Sequence, residues 1–137
     1  MSIESLNPAT GEKIKTYPEM TPDDINSAIE KTHQEFLRWR HTSFAERSSK
    51  MKKAAEILRQ KKDEYAHLMT VEMGKPLAQG KGEAEKCAWV CDFYAENAQK
   101  FLSEEEIPSD ASKSFVHFEP LGVVLADRKS TRLNSSH

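Results

Sequence analysis

A chain of 137 residues is one domain's worth of sequence, and with 37% hydrophobic and 31% charged residues it can build only a modest core. Its net charge of -2 gives no electrostatic case for nucleic acid or an anionic membrane surface. No run approaches the roughly 20 apolar residues needed to span a bilayer. The stretch Met1 to Lys13 lacks the apolar core of a signal peptide, and two cysteines make no disulfide framework. The expectation is a cytoplasmic protein in a reducing compartment.

In chain order, Ile3 to Leu6 predicts a short strand. Asn7-Pro8-Ala9-Thr10-Gly11 is turn chemistry: Asn and Pro open the turn and Gly accepts positive φ. Glu12 to Tyr17 returns as a second strand with Ile14 as its apolar anchor. An isolated hairpin is marginal in water, so this one should pack on something else. Thr21-Pro22-Asp23-Asp24 starts a helix, with Thr21 as cap, Pro22 at the first helical position and two acids complementing the dipole. Ile25, Ala28, Ile29, Thr32, Phe36 and Trp39 share one face at helical spacing. After a stop near Arg40, Ser43 and Glu46 form a capping box for the next helix. That helix buries Met51, Ala54, Ala55 and Leu58 and turns Lys50, Lys52, Lys53 and Lys61 to water. A third helix, Lys62 to Met73, is expected to bury Tyr65, Leu68 and Met69, and Gly74-Lys75-Pro76 ends it.

A longer fourth helix runs from about Leu77 or Gly82 to Ser103. Its seam of mostly small residues, Ala84, Cys87, Ala88, Cys91, Ala95, Ala98 and Leu102, lets helices approach closely and places it at the centre of the helical layer. Glu104 to Glu106 reads as a solvated end and Ile107 to Lys113 as a polar connection. Val116 and Phe118 then alternate with His117 and Glu119, as in a half-buried strand. Pro120 and Gly122 mark a bend. Val123 to Ala126 is an apolar run of the kind found in a strand covered on both faces.

Few residues suggest chemistry by themselves. Cys87 and Cys91 put two thiols on one helix face, but a zinc site takes about four ligands and no neighbouring His or Cys completes one; core packing is the better reading. Gly80-Lys81-Gly82 lacks the preceding strand and third glycine of a nucleotide fingerprint. Gly74-Lys75-Pro76 lacks the upstream glycine and the hydroxyl residue of a P-loop. His33, His41, His67 and His117 lie in separate elements without a Ser, Cys or Asp partner, and read as solvated or capping residues. Glu83 and Glu85 read as acids at a helix N-terminus. Read in this way, the residues assemble no active site and no metal site.

An ordered set of motifs resembles one family. Asn7-Pro8-Ala9-Thr10-Gly11-Glu12 resembles the N-terminal hairpin of aldehyde dehydrogenases. Trp39 followed by Ala45-Glu46-Arg47 is similar to their first helix junction. Glu72-Met73-Gly74-Lys75-Pro76, then Glu83-Ala84 with Phe93-Tyr94-Ala95, then Glu119-Pro120-Leu121-Gly122-Val123-Val124 follow in the family's order. The likeness covers Ile3 to Ala126 and is nearest to the bacterial succinate-semialdehyde dehydrogenase group.

The resemblance implies an α/β parent fold with a Rossmann-type cofactor domain. This chain would supply a mainly α-helical N-terminal part, with an N-terminal β-hairpin and C-terminal strands, and Ser114 to Glu119 would enter a bridging β element that builds a homo-oligomer. It implies oxidation of a small aldehyde, succinate semialdehyde in the nearest group, to its acid. A cysteine thiolate attacks the carbonyl, hydride leaves the hemithioacetal for NAD or NADP, and a glutamate-activated water releases the acid. An amide side chain and a backbone N–H stabilise the oxyanion. None of those catalytic or cofactor-binding groups matches a residue of this chain, since the family's motifs that carry them come after the position of Ala126. Cys87 and Cys91 lie on the wrong element for the nucleophile. By the same resemblance Lys86, Trp89 and Phe93 border the entrance of the substrate tunnel, with Lys86 attracting a distal carboxylate.

The likeness stops at Ala126. Asp127 to His137, which carries a local excess of basic residues, resembles the translation of a short-read sequencing adapter and is expected to be a non-native tail. The chain as given is then an inactive fragment that binds no cofactor, is partly helical and self-associates, because Val123 to Ala126 lacks the neighbours that would bury it. The competing expectation is a noncatalytic helical binding or oligomerisation module.

Overall fold

A computed structural model describes residues 2–126. The adapter-like run Asp127 to His137 lies outside the described residues. The elements in order are strands β1 (Ile3–Leu6) and β2 (Lys13–Tyr17), helices α1 (Pro22–Trp39), α2 (Phe44–Gln60), α3 (Lys62–Met73) and α4 (Leu77–Phe101), and two short strands, β3 (Glu105–Glu106) and β4 (Phe115–Val116).

α4 is the centre. It packs on both α2 and α3, which barely touch one another. The buried residues are correspondingly small: Ala55 on α2, Ala66 on α3, and Gly80, Ala84 and Ala88 on α4. Among the described residues no large side chain is fully buried. Gly80 sets the limit of approach, because a Cβ there would lie 3.0 Å from Ala66 Cα and 3.1 Å from its Cβ. Polar bonds tie the same surfaces. Ser48 Oγ donates to the Ala95 carbonyl at 2.7 Å. Arg59 reaches from α2 to Glu85 and Asp92 on α4, at 2.8 and 2.7 Å. Lys81 on α4 pairs with Asp63 of α3 at 2.7 Å.

The β1–β2 hairpin is antiparallel, with Ile3 opposite Tyr17 and an irregularity between Ser5 and Leu6. Its turn forms as the composition requires: Ala9 N–H donates to Asn7 Oδ1 at 2.9 Å, and Gly11 takes a φ of 74°. The hairpin sits on the end of α3. Ser5 Oγ donates to Glu72 Oε1 at 3.0 Å. Gly74 caps α3 in the left-handed region at φ 67°, and a Cβ on it would lie 3.2 Å from Pro8 Cγ. One glycine therefore ends the helix and leaves room for the turn.

Thr21 caps α1, and Asp24 returns the hydrogen bond to the Thr21 N–H, closing a capping box at a position expected only to complement the dipole. At α2 Ser43 accepts from Glu46 N–H at 3.1 Å, but only this half of the expected box forms.

Several expectations are corrected. The apolar face of α1 is not buried in this chain: Ile25 and Ile29 are exposed and Phe36 is only half-buried. On α3 the buried residue is Ala66, while Leu68 is exposed. Leu68 lies about 200° around the helix from Ala66 and so faces away from the α3–α4 contact. In the α4 seam Cys87 and Leu102 are exposed, so core packing does not account for Cys87. Ile14 is exposed rather than an anchor. Glu105 and Glu106 are not a free end but pair antiparallel with Val116 and Phe115. The strand expected from Phe115 is only two residues long, and Val123 to Ala126 forms no strand and is exposed.

Two substitutions probe the central contact. Gly82→Ala meets open space inside a helix, so it should stabilise by up to about 1 kcal/mol. Gly80→Ala gains the same propensity but pushes on the Ala66 backbone. Overpacking costs about 1–3 kcal/mol, so the net effect should be a loss. Urea unfolding followed by circular dichroism measures both, and equal stabilisation by the two would refute the close approach.

Candidate functional site

The outer face of α4 carries the three residues expected at a tunnel entrance. Lys86, Trp89 and Phe93 are spaced so that they share one side of the helix. All three are exposed, Trp89 at 58% and Phe93 at 38%. The Trp89 and Phe93 rings lie 5.8 Å apart and tilted, and Phe93 also meets Phe101 at 5.9 Å and the edge of Tyr94 at 5.3 Å. The helix thus presents an apolar aromatic ridge with an ammonium group one turn from its end. Such a surface can guide a small molecule that is apolar in the middle and anionic at one end.

A second concavity was not foreseen. A cleft of about 910 Å³ opens between the α1–α2 junction, the second half of α4 and the segment after β4. Trp39, Met51, Tyr94, Leu102 and Phe118 give it apolar walls, and Arg47 and Lys50 give it positive charge. Arg47 stacks over Phe44 at 4.4 Å, and Lys50 lies 5.8 Å from the Trp39 ring centroid. Lys86, Trp89 and Phe93 do not line it. The available signal was the mixture of aromatic and cationic residues from Trp39 to Lys50, which periodicity assigned to ordinary helix faces.

His117 stands at the edge of this cleft. It is more than a solvated or capping residue: Nδ1 is 3.1 Å from Glu104 Oε1 and Nε2 is 3.0 Å from Glu119 Oε1. Arg40, the C-cap residue of α1, lies 3.6 Å from Glu119 Oε2. A search for Ser, Cys or Asp partners passes over a set that is built from glutamates.

Other charged residues serve the scaffold. Glu83 and Glu85 are not helix N-terminal acids, because α4 begins at Leu77. Glu83 instead pairs with Lys75, and Glu85 with Arg59. The hydrogen bonds that Arg59 donates to Glu85 and Asp92 raise its pKa above the ordinary value. The Thr21 side chain, then its backbone N–H, hold Asp24 below the usual carboxylate range, and Lys81 does the same for Asp63.

The glycine motifs offer no phosphate cradle. Gly80 N–H is spent on the Pro76 carbonyl at 3.0 Å, and its Cα faces Ala66. Gly74 N–H donates to Thr70 O, and Lys75 is occupied by Glu83. Gly74 and Gly80 therefore have no free N–H to offer a phosphate. Cys87 and Cys91 are free thiols, one exposed and one half-buried. Among the described residues no group of three or more His, Cys, Asp or Glu side chains is arranged to hold a metal ion, and no helix is long and apolar enough to cross a membrane.

A hairpin seated on a layer of helices around α4 is the arrangement that the described residues form. The aldehyde dehydrogenase family profile matches residues 1–126, and the chain belongs to that family. It is 44% identical over 126 residues to a probable succinate-semialdehyde dehydrogenase [NADP(+)] of Synechocystis, covering 92% of this chain and 28% of the relative. Identity is also 44%, over 131 residues, to succinate-semialdehyde dehydrogenase [NADP(+)] 1 of Mycobacterium tuberculosis, with the same coverage. The structure resembles the NADP+ complex of succinic semialdehyde dehydrogenase from Streptococcus pyogenes. The TM-score is 0.77 at 31% identity, covering 82% of this chain and 25% of that one. The chain thus spans 28% of the length of the curated relatives it matches.

The two depressed aspartates predict an acid dependence. A carboxylate with a lowered folded pKa contributes stability that is full above the ordinary aspartate value of about 3.9 and is lost as pH falls through the folded value. Asp24→Asn and Asp63→Asn should therefore each melt below the parent chain at neutral pH, and the difference should close as pH falls below about 3.9. Thermal melts across that range test it, and a gap that persists unchanged in acid would contradict the assignment.

Proposed function

We propose that this chain is the N-terminal part of an NADP-dependent aldehyde dehydrogenase that oxidises succinate semialdehyde to its acid. The observation that carries the reading is the likeness over residues 1–126 to proteins named for that activity. NADP, when bound to the whole enzyme, accepts the hydride. The role of this segment is structural and steric: it supplies the helical layer around α4 and an aromatic wall with Lys86 at its end. Lys86 holds the distal carboxylate of the substrate, while Trp89 and Phe93 exclude water along its methylene chain. The β3–β4 pair, which includes the Phe115–Val116 strand, is the root of the bridging element through which the whole protein forms a homo-oligomer.

By itself the chain turns over no aldehyde. This reading is supported by the engaged N–H groups of Gly74 and Gly80 and by the placement of both cysteines within the long helix α4. The decisive test is to sequence the gene across the Ala126 codon, express whatever reading frame it contains, and follow NADPH formation with an aldehyde panel. The whole product should oxidise succinate semialdehyde with NADP, and the chain alone should not. A genomic stop directly after His137 would overturn the reading.

That outcome would favour the second reading, a noncatalytic association module. It draws on the exposed apolar residues Ile25, Ile29, Val124 and Leu125, which sedimentation would then reveal as oligomer formation.

A narrower prediction concerns Lys86. In the full-length enzyme Lys86→Gln should raise KM for succinate semialdehyde about fivefold, the size of an exposed ion pair. It should leave kcat nearly unchanged and leave KM for an uncharged aliphatic aldehyde unaffected. Equal effects on charged and uncharged aldehydes would remove Lys86 from substrate recognition.

A further inference from the structure

We propose that Glu104, His117 and Glu119 form a proton-operated clasp that fixes the segment leaving β4 against the ends of α4 and α1. Both ring nitrogens of His117 face carboxylate oxygens, Nδ1 at 3.1 Å from Glu104 and Nε2 at 3.0 Å from Glu119. A neutral imidazole has one N–H. It can donate to one carboxylate, and its bare nitrogen then faces the lone pairs of the other. The imidazolium donates to both, through charge-assisted bonds. The closed geometry is therefore the protonated one.

The surrounding charges orient the carboxylates. Arg40 lies 3.6 Å from Glu119 Oε2, and Lys113 lies 3.6 Å from Glu104 Oε2. Each cation takes the second oxygen and leaves Oε1 to the imidazole. The Phe115 ring meets the imidazole edge-on at 6.3 Å. Arg47, Lys50 and Glu96 line the cleft beside it.

The positions give the clasp leverage. Glu104 follows α4, His117 follows β4, and Arg40 ends α1. The β3–β4 ladder that would otherwise hold this segment has only two residue pairs, too few for stability alone. Phe118 and Pro120, which neighbour the clasp residues in sequence, form a wall of the cleft. Opening the clasp frees that wall, so loss of the imidazole's second proton changes the shape of the cleft.

Hydrogen exchange on the full chain, corrected for intrinsic rates, tests this at about pH 5.5 and about pH 7.5. Segments 105–107 and 115–119 should exchange about threefold faster at the higher pH, as for loss of an exposed charged contact, while α2 to α4 stay unchanged. His117→Gln should abolish that pH response. Glu119→Gln should reduce it, and it serves as the deciding variant if His117→Gln loses protection in α2 to α4. A pH response equal to the parent's in His117→Gln, or in Glu119→Gln where that variant decides, overturns the clasp.

Discussion

How closely α4 can approach its neighbours governs the whole molecule. The contact at Gly80 leaves 3.0 Å between a hypothetical Cβ and the Ala66 backbone, and the residues around it are alanines. Small residues bury little apolar area each, so the stabilisation from any one of them is slight. The gain comes from bringing two backbones close along a helix of 25 residues, where many weak dispersion contacts add together. Side-chain polar bonds then fix the rotation of each helix about its axis. Ser48, Arg59 and Lys81 do this from three directions.

A core of this kind does not cover the periphery. Ile25 and Ile29 make an apolar face on α1 that no described element buries, and Leu121 and Leu125 are 99% and 89% exposed. On α1 these side chains follow the periodicity of a buried face, yet no described element covers them. The capped start of α1 shows the distinction well. Thr21, Pro22 and Asp24 determine the helix locally, whereas nothing local determines what lies across its apolar face.

Local chemistry accordingly made most of the fold legible. Asn7 and Gly11 specify the hairpin turn, Gly74 the end of α3, and the alanine pattern the centrality of α4. Non-local or dual-purpose residues were not legible. Glu105 and Glu106 look like solvent-facing acids, and only their partners Val116 and Phe115 make them a strand. Val123 to Ala126 has strand composition, yet without neighbouring strands its backbone gains nothing from being extended. Leu68 fits a helical stripe, but the contact with α4 is made from the Ala66 side of the helix, which Leu68 does not share. Of the site, Lys86, Trp89 and Phe93 were suggested by the family resemblance, and helical spacing explains only why they share one side of α4. The cleft and the His117 cluster follow from neither, because Glu104 is 13 residues from His117 and no period relates them.

The motifs that reveal the family turn out to be joints of the scaffold rather than chemistry. The Asn7 to Gly11 turn places Pro8 on Gly74, and Glu72 accepts from Ser5. Lys75, of the Gly-Lys-Pro segment, is held by Glu83 of the Glu-Ala pair on α4. Tyr94-Ala95 receives Ser48 from α2 through the Ala95 carbonyl. Glu119, which opens the last motif, meets Arg40 at the end of α1. The hairpin turn, the Gly-Lys-Pro segment, Ala95 and Glu119 therefore each touch a residue of another element. Together they fix how the hairpin, α3, α4 and the exit segment are assembled. A substitution at one joint alters an angle between these elements. For that reason this stretch identifies the family through its joints, in which Lys86, Trp89 and Phe93 take no part.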